Sequence, residues 1–164
     1  MVKKYKLTEE IINLNGRILH RIEALKDFDD IKKGDKGGYV GKEDNLSQEG
    51  NCWIYDNARV YDSAIVCDNA KIYDNALVFD NAEICSNAEI KNSSDYIVFK
   101  NWWSSRRYFT WTKSNNKWKV GCFYGTGEEL IAKAYKDSEI SGREYKRVVG
   151  YVESMLRDTK RIGD

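Results

Sequence analysis

One histidine, His20, and four cysteines, Cys52, Cys67, Cys85 and Cys122, are the side chains on which most acid–base, nucleophilic or metal chemistry in this chain would rest. A single histidine excludes most histidine-dependent mechanisms, and its setting in a strand-like segment, GRILHRIEAL, reads as structural. The cysteines lack the CxxC spacing of a zinc ligand set, so no metal site is expected; stacked Cys67 and Cys85 could hold a metal or a disulfide, but a column of thiols is their plain reading. Gly34, Gly37, Gly38 and Gly41 do not form a phosphate-loop motif. The run Gly121–Gly127 (GCFYGTG) precedes a helix start and could hold an anion, though a tight turn explains it equally. No cofactor is implied.

Two charged patterns remain. Residues 96–127 contain Lys100, Arg106, Arg107, Lys113, Lys117 and Lys119, no acidic residue, and four tryptophans, Trp102, Trp103, Trp111 and Trp118. Cations interleaved with aromatics grip phosphates and stack on bases, so this stretch is a candidate nucleotide or nucleic-acid patch. The same aromatics are also candidates for the core of a small module. The second pattern is a regular array of carboxylates, Asp56, Asp62, Asp68, Asp74 and Asp80. Turn chemistry accounts for them, and such an array can also imitate a phosphate backbone.

The elements that position these groups follow from internal repetition. From residue 45 to residue 92 the chain reads as eight hexads, the first a poor match: NLSQEG, NCWIYD, NARVYD, SAIVCD, NAKIYD, NALVFD, NAEICS, NAEIKN. The second position is small and the fourth is Ile or Val. Side chains two apart share one face of a strand, and Asp-Asn bends the backbone because both residues tolerate left-handed dihedrals. A short strand and a corner every six residues wind a three-sided coil of about 18 residues per lap. Residue i then lies beneath i+18. Tyr55 falls over Tyr73, Tyr61 over Phe79, and Cys67 over Cys85. The exposed aromatic columns, Tyr55, Tyr61, Tyr73 and Phe79, are expected to form an oligomer interface.

The strings Val66-Cys67-Asp68-Asn69-Ala70 and Val78-Phe79-Asp80-Asn81-Ala82 closely resemble the hexapeptide repeat of left-handed parallel β-helix proteins. The resemblance implies a left-handed coil and a trimer or dimer packed through its flat sides. It also implies acyltransferase activity, for which such proteins commonly place a histidine on the coil. No histidine lies within residues 45–92, which argues against that activity and against a three-histidine zinc carbonic anhydrase. Beyond the repeat, Lys4–Leu7, Asn15-Gly16-Arg17, Lys33–Val40, Glu43–Ser47, Val120–Phe123, Gly125-Thr126 and Glu128-Glu129 resemble phage- and prophage-encoded hexapeptide proteins.

The expected fold is mainly β in three parts. Residues 1–44 form a β-hairpin cap turning at Asn15-Gly16, with a glycine-rich lead-in. Residues 45–92 form the β-helix, and residues 93–164 a β-hairpin plus two helices. The helices should start at capping boxes, Thr126 with Glu129 and Ser141 with Glu144. An apolar stripe of Tyr145, Val148, Val149, Val152, Met155 and Leu156 marks the second. Net charge is +3 over residues 1–42, −8 over 43–95 and +6 over 96–164, three regimes for three parts. With no apolar leader or membrane-length segment, the chain is expected in the host bacterial cytoplasm with reduced thiols. Function is expected to be non-enzymatic: an oligomeric phage-type protein that antagonises host defence, in the manner of an anti-CRISPR, by binding a host effector, a nucleotide or nucleic acid. An acyltransferase and a self-assembling structural solenoid are the alternatives.

Overall fold

The structure, a computed structural model, describes residues 2–161. The hexads form two-residue strands: β4 (Trp53–Ile54), β5 (Arg59–Val60), β6 (Ile65–Val66), β7 (Lys71–Ile72), β8 (Leu77–Val78), β9 (Glu83–Ile84) and β10 (Glu89–Ile90). They pair in parallel at the expected eighteen-residue interval: Ile54 with Ile72 and Ile72 with Ile90, Val60 with Val78, and Val66 with Ile84. The seven aliphatic side chains face inward and are fully buried, and Ala58, Ala64, Ala70, Ala76, Ala82 and Ala88 fill the space beside them. The corners work as the residue types dictate. Asp56, Asp62, Asp68, Asp74, Asp80 and Ser86 all adopt φ of 56–58°, a left-handed region that short polar side chains enter at low cost.

Parallel pairing begins earlier than expected. Strand β3 (Lys36–Val40), within the glycine-rich lead-in, runs parallel to β5 through Tyr39–Arg59 and Val40–Val60, and Leu46 bridges Val66. These partners are twenty residues apart, so the first lap is two residues longer and residues 45–50 do not form a hexad in register. Glycine makes β3 possible: a Cβ on Gly38 would lie 2.3 Å from the Ala58 carbonyl oxygen, and one on Gly37 2.5 Å from that of Ile54.

The N-terminal hairpin is β1 (Tyr5–Leu14) and β2 (Arg17–Ala24), joined through Asn15 and Gly16, both at positive φ as a type I′ turn requires. β2 adds antiparallel to β3, giving a wall of order β1-β2-β3-β5-β8. The residues leading into β1 plug the first lap. The Tyr5 hydroxyl lies 2.7 and 2.6 Å from the carbonyl oxygens of Glu43 and Leu46, and the Lys4 ammonium meets those of Glu49, Gly50 and Cys52.

The C-terminal part is an antiparallel meander, β11 (Tyr96–Lys100), β12 (Tyr108–Thr112), β13 (Lys117–Val120) and β14 (Phe123–Gly125), followed by α1 (Gly127–Asp137) and α2 (Glu139–Arg161). The expected hairpin is part of a four-stranded meander, in which Gly121, at φ 57°, reverses the chain between β13 and β14. Phe109, Trp111 and Trp118 face the helices and join Leu130, Ala134, Tyr145, Val149 and Val152 in a second core. Thr126 and Glu129 form the expected reciprocal cap. The second helix starts earlier than Ser141, because the Ser138 hydroxyl accepts from the Ser141 amide at 3.0 Å. No helix among the described residues is long and apolar enough to cross a membrane.

The meander also finishes the solenoid. In earlier laps the amides of Arg59, Ile65 and Lys71 donate to carbonyls of the next lap, those of Ala76, Ala82 and Ala88. The equivalent last-lap amides, Leu77, Glu83 and Glu89, have no lap above them. They donate instead to the hydroxyls of Ser93 (3.0 Å), Thr110 (3.0 Å) and Ser114 (2.9 Å), one for each wall. A sheet edge is thus closed by three hydroxyls rather than by a further strand. Thr110 is buried, so Thr110→Val keeps the shape but strips the Glu83 amide of its acceptor. The expected cost is about 1–3 kcal/mol in urea unfolding, with Ser114→Ala at a more exposed site costing less.

Candidate functional site

Successive corner aspartates fall on three different corners. Asp56 lies beneath Asp74, Asp62 beneath Asp80, and Asp68 beneath Ser86, in the same eighteen-residue register as the strands. No face carries all five carboxylates, so they do not form a single strip. The carboxylates serve the coil: Asp56 accepts from the Asp74 amide at 3.2 Å, Asp68 from the Ser86 amide at 2.9 Å, and Asp62 pairs with Arg17 at 2.7 Å.

The basic-aromatic stretch does not form one patch either. Trp111 and Trp118 are buried in the C-terminal core. Trp103 is half-buried against Tyr145, with its indole N–H donating to Ser141 at 3.2 Å. Of the four, only Trp102 is exposed, at 65%. Lys119 is engaged by the Gly121 carbonyl and lies 4.0 Å from Glu83, and Lys100 sits beside the Tyr108 ring. Lys117 is half-buried, while Arg106 and Arg107 are exposed on the loop before β12. Strand alternation explains the split: aromatic side chains turn to the helices and cations turn away from them.

The aromatic columns stack as the eighteen-residue register requires, Tyr55 on Tyr73 with centroids 4.7 Å apart and Tyr61 on Phe79 at 5.3 Å. They are not open strips. Tyr61 is buried with Leu19 and Tyr39 under the N-terminal hairpin, Phe79 is half-buried beside them, and Tyr55 donates to Asp30 at 2.8 Å. The N-terminal part, longer than a simple lid, reaches down the walls of the coil, covers Tyr61 and Phe79 and ties Tyr55 within the same chain, while Tyr73 stacks on Tyr55. His20 faces Thr8, with Nδ1 3.0 Å from the Thr8 carbonyl oxygen. Because that carbonyl can only accept, Nδ1 carries the proton and the ring is a strand-to-strand tie.

A polar groove of about 410 Å³ runs along a different corner, lined by Asp29, Asn51, Asn69, Lys71, Asn87 and Glu89. Its floor is built by the repeat itself. Asn51, Asn69 and Asn87 each stand two residues before the paired positions Trp53, Lys71 and Glu89, and so rise in one column. The loop before β3 brings Asp29 against Lys71 in an ion pair. Burial works against the Lys71 ammonium, but bonds to Asp29 and Tyr55 outweigh it and hold the group above the ordinary lysine range. The same bond from Lys71 holds the Asp29 carboxyl below the usual carboxylate range. Tyr73 donates to Glu89 at 3.3 Å. The groove thus offers carboxamide donors, a fixed cation and two carboxylates within one cleft. The sequence signal for it is the asparagine that opens most hexads, a residue that turn formation also accounts for.

Elsewhere on the coil the thiols of Cys67 and Cys85 touch at 2.8 Å. The hydrogen bond shared by the two sulfurs pulls the Cys67 thiol down, and the same bond together with burial pushes the Cys85 thiol up. Cys52 lies buried beside Lys4, and Cys122 is exposed.

Mainly β, with parallel hexad strands in eighteen-residue register, the chain is a β-solenoid repeat protein. The YdcK beta solenoid repeat family matches residues 54–68. Over 63 residues the chain is 40% identical to the "Uncharacterized acetyltransferase YdcK" of Escherichia coli (strain K12), a match covering 34% of this chain and 19% of that protein. The chain therefore spans about a fifth of the length of this relative. The match overturns the expectation of a non-enzymatic, phage-type defence antagonist, because the relative that shares the repeat is named for a transferase. The dispersal of the acidic array and of the aromatic patch removes the features on which that expectation stood.

Proposed function

We propose that this chain transfers acyl groups, and that transfer takes place in the groove along the asparagine column. The observation that carries the reading is the 40% identity over 63 residues with a protein named as an acetyltransferase. In this proposal the solenoid winds left-handed, as its hexapeptide resemblance implies.

The chemistry is assigned as follows. An amine or hydroxyl acceptor attacks the carbonyl carbon of an acyl thioester, forming the new C–N or C–O bond as the C–S bond breaks. The carboxamide N–H groups of Asn69 and Asn87 and the Lys71 ammonium stabilise the negative charge that develops on the carbonyl oxygen. Glu89 takes the acceptor's proton and passes it to the departing thiolate. Asp29 holds Lys71 in place. A carboxylate in the role usually given to histidine answers the absence of histidine from residues 45–92. A carboxylate is the weaker base at neutral pH, so turnover should be slow.

The test is incubation with acetyl-CoA and a panel of amine and hydroxyl acceptors, following release of the CoA thiol. Glu89→Gln should lower kcat by about 100-fold, within the range for loss of a general base, and leave acetyl-CoA binding intact. Failure of acetyl-CoA to bind in calorimetry, or to be consumed with any acceptor, would overturn the assignment.

A further inference from the structure

We propose that Cys67, Asp68 and Cys85 form a binding site for a thiophilic d10 cation, with zinc as the first candidate. The ladder carries this inference. Val66 and Ile84 are register partners, so the residues that follow them, Cys67 and Cys85, stand side by side on the same outer wall. Their sulfurs lie 2.8 Å apart. Asp68 then turns the chain at φ 57°, which brings its carboxylate back alongside the thiols. One ligand atom from each residue falls within 4.8 Å of the others. Asp68 is oriented by its bond from the Ser86 amide through one carboxylate oxygen, leaving the other oxygen for an ion.

Two thiolates with one carboxylate form a three-ligand set suited to a tetrahedral cation that keeps its fourth position for water. Zn–S bonds of about 2.3 Å at tetrahedral angles place the sulfurs about 3.7 Å apart. The two thiols need only part by about 1 Å, which side-chain rotation supplies without disturbing the ladder. Binding would release the thiol protons to solvent. The site stands at the corner that directly follows β6 and β9, and it shares no residue with the acyl-transfer groove.

The experiment uses the full chain carrying Cys122→Ser, so that the exposed thiol gives no signal. Reduced, metal-free protein is titrated with Cd²⁺, read by thiolate-to-metal charge-transfer absorbance, and with Zn²⁺ against a chromophoric chelator. One ion per chain is expected. Cys67→Ser and Cys85→Ser should each weaken binding by more than the roughly 10–100-fold that loss of an outer-shell partner costs. Asp68→Asn retains the left-handed corner and the acceptor for Ser86, so it should weaken binding at least about tenfold with the circular dichroism and Tm of the metal-free protein unchanged. Absence of the charge-transfer band, its survival in the serine variants, or a reduced protein whose thiols bind neither ion would overturn the site. An unchanged affinity in Asp68→Asn would do the same for the third ligand.

Discussion

Ile72→Ala is expected to destabilise the protein by about 2–5 kcal/mol, because it removes three buried carbons from the middle of the coil. Ile72 is the middle rung of its ladder, with Ile54 and Ile90 as its partners, and its side chain is fully buried. The backbone above and below is pinned: the Tyr55 amide donates to the Ile72 carbonyl at 2.7 Å, and the Tyr73 amide to that of Ile90 at 2.8 Å. Walls tied in this way cannot collapse into the space a truncated side chain leaves, so the cost belongs at the upper part of the range. A charge at the same point, Ile72→Asp, has no partner in the apolar interior and should abolish cooperative unfolding. The control lies one wall away. Ile65 points outward and is 39% exposed, so Ile65→Ala should fall within about 0.5 kcal/mol of the parent. Urea midpoints at constant m-value read both. Equal losses at positions 65 and 72 would mean that the inward and outward columns have been assigned wrongly.

That contrast also marks what the sequence makes legible. An Ile or Val every sixth residue, followed by Tyr or Cys and then Asp-Asn, admits few arrangements other than a three-sided coil, and the i+18 stacking of Tyr55 on Tyr73 and Cys67 on Cys85 follows from it. The first lap was not legible, because β3 has neither the aliphatic spacing nor the Asp-Asn corner; it joins the wall through glycines that permit close approach. The fate of the tryptophans was hidden for another reason. Interleaving Lys with Trp fits a nucleic-acid surface and a two-faced strand equally well, and only the presence of α1 and α2 over one face decides for the core. The groove leaves no separate mark in the sequence, because the turn alone accounts for Asn69 and Asn87. Asp29, the group that fixes Lys71, comes from a loop some forty residues away, a distance no local pattern spans.

Lys4 supplies the second large effect. Its side chain is buried at the base of the coil, with Nζ 2.8 Å from the Cys52 carbonyl oxygen, 3.2 Å from that of Gly50 and 3.4 Å from that of Glu49. Lys4→Met keeps the aliphatic bulk and removes the donor from three acceptors at once. Each carbonyl left without a donor costs about 1–3 kcal/mol, and relief from burying a charge offsets part of this. A net loss of about 2–4 kcal/mol at pH 7 is expected on that balance. The pH dependence gives an independent reading. Burial lowers the Lys4 ammonium below the ordinary lysine value of 10.5. Between the folded value and 10.5 the unfolded chain holds a proton that the folded chain has released. Stability of the parent should therefore rise with pH across that window, and below it the penalty for the buried charge is constant. Burial of the neighbouring Tyr5 hydroxyl raises its value above 10.0, so its contribution falls away only above pH 10, where the unfolded tyrosine ionises. The gain from Lys4 is read as the difference in slope between the parent and Lys4→Met, and it runs against a loss above pH 9 from the Cys52 thiol, which burial raises above 9.0. Unfolding free energies measured from pH 7 to 10 on both proteins provide the check. A methionine variant as stable as the parent at pH 7 would show that the first lap is held by its apolar contacts alone, with no contribution from the buried cation.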